Sequence, residues 1–127
     1  MARIRSIKPE ALKSLTLASW PREVRLAWHY LSMYLDDAGR GVDEVRLVMA
    51  ECFPWDRDVT EKKMASWLDL MAATPKLKPE DEPALCRYEV AGVRYFHAPK
   101  FRQHQKINRP TTSKLPPCPT HEPDGLW

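Results

Sequence analysis

The sequence predicts an α+β fold in which three helices precede a β-hairpin. Apolar residues recur at helical spacing in three stretches before residue 72, and two short runs alternate around Ala91-Gly92. The segments between and after them are rich in proline or charge. A chain of 127 residues suits one domain with one modest core.

Residues 1–20 form an arm. Ile4 and Ile7 sit among Arg3, Arg5 and Lys8, Pro9 breaks the run, and Leu12, Leu15 and Leu17 follow. The arm therefore has apolar side chains to bury and is expected to pack on the domain. A first helix is predicted over 21–36, where Val24, Trp28, Leu31 and Leu35, flanked by Ala27 and Tyr34, share one face. Pro21 suits its first turn and Gly39 a left-handed C-terminal cap. Leu26, Tyr30 and Met33 make a second apolar stripe on the opposite side. Its expected cover is the arm, through Ile4, Ile7 and Leu12, or a second copy in a symmetric homodimer.

Arg40-Gly41-Val42 could add a short strand to the hairpin. A second helix over 43–52 buries Val45, Val48, Met49 and Cys52, and Phe53-Pro54-Trp55 closes it because proline cannot continue a helix. The third helix begins at Asp58, with Asp58-Val59-Thr60-Glu61 as a capping box, and buries Met64, Trp67, Leu68 and Met71. Its other face holds Lys62, Lys63, Ser66 and Asp69. The hairpin joins 85–90 to 93–98, with Tyr88 and Val90 alternating with Arg87 and Glu89. Three helices followed by a hairpin is the order of a winged helix-turn-helix, here over 21–109. Such a fold offers its third helix to a DNA major groove and its wing to the adjacent backbone or minor groove. The segment 74–83, TPKLKPEDEP, reads as an exposed connection. Residues 110–127 read as a Pro-rich extended or disordered tail with little to bury except Leu115, Leu126 and Trp127.

Net charge is +3, but it is unevenly distributed: residues 1–25 carry +4, residues 26–99 carry −4 and residues 100–127 carry +3. Basic ends around an acidic middle suit a polyanion if both ends reach the same side, and solvated tails otherwise. Candidate phosphate contacts are Arg3, Arg5, Arg87, Arg94, Lys100, Arg102, Lys106 and Arg109, with Lys114 beyond. Candidate base readers are Lys62, Lys63 and Ser66 on the third helix, and His104, Gln105 and Asn108 after the wing. His104-Gln105 could equally hydrogen-bond the backbone and lock its segment to the domain, and Asp69 opposes phosphate. Double-stranded DNA is the expected partner, with a docked host or phage replication protein as the alternative. Trp28 and Trp67 fit core faces, while Trp20, Trp55 and Trp127 are candidate exposed anchors.

No cofactor and no metal is expected. Cys118-x-x-His121 has ligand-like spacing, but Cys86 and His97 would have to join it from the hairpin, and a Pro-rich tail is a poor clamp. Carboxylates at Asp36-Asp37, Asp56-Asp58 and Glu80-Asp81-Glu82 each have a structural place, and no nucleophile, phosphate-cradling or nucleotide motif points to an enzyme. Three widely spaced cysteines describe no disulfide framework. With no apolar run of membrane length and no signal core behind the basic N-terminus, the expected location is the cytoplasm of a bacterial host.

Several motifs together resemble one family. RIRSIKPE at the start, DDAGR at 36–40, FPWD at 53–56, RYEVAGVRYFHAPKF and HQKINRPTTSKLP resemble the N-terminal winged-helix module of bacteriophage replication initiators and replisome organisers. The resemblance covers about residues 3–117. Its most specific part is the ordered set Tyr88, Gly92, Tyr95, Phe101, His104-Gln105, Asn108, Pro110 and Ser113. It implies DNA binding at a phage replication origin and recruitment of replication machinery through a further C-terminal region. The sequence given stops where the family's linker usually begins and carries the 74–83 insertion, which fits a regulator or accessory factor as well as an initiator.

Overall fold

The computed structural model describes residues 4–122, so Arg3, Leu126 and Trp127 lie outside the described residues. Its architecture is α+β. In order come a 3-10 turn (Pro9–Lys13), helix α1 (Leu15–Ala18), α2 (Arg22–Tyr34), strand β1 (Arg40–Val42), α3 (Val45–Cys52), α4 (Glu61–Ala72), β2 (Cys86–Val90), β3 (Val93–His97) and α5 (Phe101–His104). The three predicted helices are α2, α3 and α4. Arg40-Gly41-Val42 does join the hairpin, giving a three-stranded antiparallel sheet of order β1-β3-β2.

Helix α2 buries Val24, Ala27 and Leu31, and α4 buries Met64, Trp67, Leu68 and Met71. They meet Val48 of α3, Leu85 and Phe96 in one core. Each of the Val, Leu, Met and Phe side chains contributes about 1.5–3 kcal/mol relative to exposure. Trp20, expected to be partly exposed, is buried and meets the Trp28 ring edge-on at 5.7 Å. Trp55 is exposed as expected.

Two local expectations are corrected. The cap of α4 is Thr60, whose side chain accepts from Lys63 N at 3.1 Å, so the capping box at Asp58 does not form. Asp58 lies two residues too early, where Val59 N is bonded to Asp56 O in a preceding turn. Gly39 does adopt a positive φ of 80°, but α2 ends at Tyr34 and Gly39 instead closes a turn onto Asp36 O. A Cβ there would stand 2.7 Å from Phe101 Cβ.

The arm does not cover the second stripe of α2. Ile4 and Leu12 are 99% and 89% exposed, and Leu26, Tyr30 and Met33 remain 46%, 41% and 43% exposed. Polar anchoring holds the arm elsewhere. Arg5 donates to Ser32 O, Leu35 O and Asp37 Oδ1, thereby satisfying carbonyls at the C-terminal end of α2. Lys8 donates to Gln103 O.

The sheet register explains why a short β3 is buried on both sides. Arg87 pairs with Phe96 on one face, and Phe96 enters the helical core. Cys86 pairs with His97 and Tyr88 with Tyr95, which places these four on the opposite face. Residues 111–122 cover that second face. They contain no helix or strand, as expected of an extended tail, but they are fastened rather than solvated. Ser113 Oγ donates to Asp36, Tyr88 Oη donates to Pro116 O at 2.7 Å, and Cys118 is fully buried.

Candidate metal centre and candidate nucleic-acid interface

The second sheet face brings together four side chains from two distant segments. Cys86 and His97 are cross-strand partners at the open end of the hairpin, while Cys118 and His121 come from the returning tail. One ligand-type atom from each lies within 4.8 Å of all the others. Cys86 Sγ is 3.9 Å from Cys118 Sγ, Cys118 Sγ is 3.6 Å from His121 Nδ1, and His97 Nε2 is 3.2 Å from the same nitrogen. The Pro-rich tail, read from sequence as a poor clamp, thus returns to the hairpin and brings Cys118 and His121 to Cys86 and His97. Pro116, Pro117 and Pro119 stiffen an extended path, and its carbonyls at Leu115 and Pro116 find donors in Arg40 and Tyr88.

A second layer surrounds the cluster. His121 Nε2 lies 3.3 Å from Glu82 Oε2, and His97 Nδ1 lies 3.6 Å from Glu122 Oε1. Arg40 holds Glu122 with two bonds of 3.2 and 2.9 Å, and Cys118 N donates to the same carboxylate. Burial alone would raise Glu122, but the Arg40 and Cys118 hydrogen bonds outweigh it and hold the carboxyl below its ordinary value. Burial lowers His97 to about 4, so its imidazole is neutral. Burial, with the adjacent Cys118 thiol, pushes the Cys86 thiol up to about 12. The 74–83 connection, read from sequence as merely exposed, supplies Glu82 to this layer and Asp81 to Thr16 and Lys100.

The sequence held half of this site. Once a two-residue turn is placed at Ala91-Gly92, the register pairs Cys86 with His97. The return of the tail had no local signal.

The residues expected at a nucleic-acid interface are dispersed. Arg5 is internal, its side chain 2% exposed and paired with Asp37. Arg87 bridges Asp43 at 3.1 Å and Asp69 at 2.6 Å, and Lys100 bonds Asp81. Gln105 takes Ser6 N with its oxygen and gives its amide to Ser6 O, locking the arm to the segment after α5. Arg102 is half-buried, and its charge is felt by Asp37 and Glu122. Lys62, Lys63, Ser66, Arg94, His104, Lys106, Asn108 and Arg109 are exposed. Lys62 and Lys63 lie in the first turn of α4, and the Ser66 hydroxyl donates back to Lys63 O.

No known protein family, curated protein or solved structure matches the chain. No helix among the described residues is long and apolar enough to cross a membrane.

Proposed function

We propose that this chain is a winged-helix DNA-binding protein of phage or prophage type, serving replication initiation or regulation. One relationship carries this reading. Arg87 on β2 spans to Asp69 on α4 and to Asp43 ahead of α3, so the hairpin stands beside the outer face of α4, where Lys62, Lys63 and Ser66 are exposed. A basic helix face flanked by a hairpin is the arrangement a winged helix uses on duplex DNA. The order α2-β1-α3-α4-β2-β3 and the sheet order β1-β3-β2 support the same reading.

The contacts fall to the residues that stay exposed. Lys62, Lys63, Arg94, Lys106, Arg109 and Lys114 are six cations, and neutralising six phosphates gives a log-log salt slope of about −5. Arg5 and Gln105 serve the arm instead. Arg87 and Lys100 neutralise neighbouring carboxylates, which makes them positioning residues for the hairpin and for the 74–83 connection.

Fluorescence anisotropy of a labelled duplex, titrated at several salt concentrations, tests the proposal. Binding with that slope, lost in Lys62→Glu/Lys63→Glu, is expected. Absence of duplex binding at about 50 mM salt, where even non-specific contact is strong, overturns it.

One observation favours the alternative of a protein-docking module. The uncovered stripe Leu26, Tyr30 and Met33, with exposed Trp55, presents apolar surface to a host protein or to a second copy. Sedimentation equilibrium of wild type and Leu26→Glu separates self-association from a monomer.

A further inference from the structure

We infer that Cys86, His97, Cys118 and His121 bind one Zn(II) in a closed four-coordinate site that fastens the C-terminal segment to the sheet. Three of the six ligand-atom distances match the geometry of such an ion. With Zn–S of about 2.3 Å and Zn–N of about 2.0–2.1 Å, a regular tetrahedron has S···S, S···N and N···N edges of about 3.8, 3.6 and 3.3 Å. Three of the six edges are 3.9, 3.6 and 3.2 Å, and all six lie within 4.8 Å. Two thiolates and two imidazoles form a borderline-soft donor set that selects zinc over hard cations, and four protein ligands leave no open position for substrate.

The surrounding carboxylates give a second, independent argument. Glu82 faces the outer nitrogen of His121, and Glu122 faces that of His97. A carboxylate at each outer nitrogen favours the N–H there. The inner nitrogens, His97 Nε2 and His121 Nδ1, lie 3.2 Å apart on the side away from the carboxylates. With the N–H on each outer nitrogen, both inner lone pairs are free for one cation. A carboxylate behind a histidine is also the arrangement that orients zinc-ligating imidazoles.

A disulfide between Cys86 and Cys118 is the rival chemistry, and it leaves the paired histidines and their carboxylates without a role. Charge also balances around the metal. Uptake of Zn(II) by the two thiols releases two protons to solvent, and the resulting thiolates neutralise the ion inside a part-buried site. The ligand pattern Cys-x10-His-x20-Cys-x2-His spans hairpin and tail, so metal binding closes a long loop that includes the basic segment 100–114.

The test uses the full chain purified under reducing conditions. Elemental analysis should give one zinc per chain, and the Co(II)-exchanged protein should show the intense visible d–d absorption of a tetrahedral site. His121→Ala, at an exposed ligand, should retain the far-UV circular dichroism of the fold but lose the zinc; Cys52→Ser should keep it. Glu82→Gln should weaken zinc about tenfold in a chelator competition. A chelator should lower the melting temperature of wild type and leave His121→Ala unchanged. The proposal is overturned by a metal-free chain that takes up no zinc on titration, by equal zinc retention in His121→Ala and Cys118→Ser, or by a Cys86–Cys118 disulfide in the reduced preparation.

Discussion

Arg40 and Glu122, 82 residues apart in the sequence, form a bidentate ion pair in which the Arg40 side chain is buried. Arg40 belongs to β1 and shares the covered sheet face with its cross-strand partner His97. Its third bond goes to Leu115 O. A single side chain therefore ties the first strand to the returning tail.

Breaking that pair should be costly. Arg40→Gln leaves Glu122 without its cation in a part-buried site, and removal of one partner from a buried pair costs about 3–5 kcal/mol. The double variant Arg40→Met/Glu122→Met should cost less than Arg40→Gln alone. Urea unfolding of the set, held at one zinc concentration, measures the coupling.

Gly39 and Gly92 share a φ of 80° but differ in their surroundings. Gly39→Ala meets Phe101 Cβ at 2.7 Å, whereas an alanine at Gly92 meets nothing within 4 Å. Left-handed backbone costs an alanine about 1–2 kcal/mol, and forced contact adds about 1–3 kcal/mol. Gly92→Ala should therefore show the first cost alone, and Gly39→Ala both, when their unfolding midpoints are compared.

Ala91, with a φ of 53°, occupies the first position of the hairpin turn in a conformation that alanine disfavours. Asn is preferred there in two-residue turns. Ala91→Asn should stabilise the protein by about 0.5–1 kcal/mol, read as a higher urea midpoint with an unchanged slope.

Partial burial lowers the pKa of His29 below 6.5, and local desolvation around the otherwise exposed His104, with Lys8 and Lys100 nearby, does the same there. The unfolded chain binds protons first as the pH falls. The stability of the neutral, folded histidines is complete above 6.5 and is lost progressively as the pH drops through 6.5 toward their folded values. Unfolding at pH 7.5, 6.0 and 5.0 should show falling midpoints, and His29→Gln should reduce the decline.

The amino-acid pattern by itself determined the elements and their internal faces. Val24, Leu31, Met64, Trp67, Leu68 and Met71 are core residues because helical spacing puts them on one side. Ala91-Gly92 sets the hairpin register because a two-residue turn permits only one pairing. These are local rules, and they act over a few residues. The tertiary structure alone decided where the ends go. Ile4, Ile7 and Leu12 mark the arm as apolar, yet Arg5 and Gln105 set its path, since donors reaching the carbonyls at the end of α2 and at Ser6 outweigh a few loosely packed side chains. The tail carries no periodicity, so its return across the sheet rests on single long-range contacts: Arg40 to Glu122, Tyr88 to Pro116, and the Cys86, His97, Cys118 and His121 cluster. No spacing rule encodes such contacts, because their partners are brought together only after the sheet has formed.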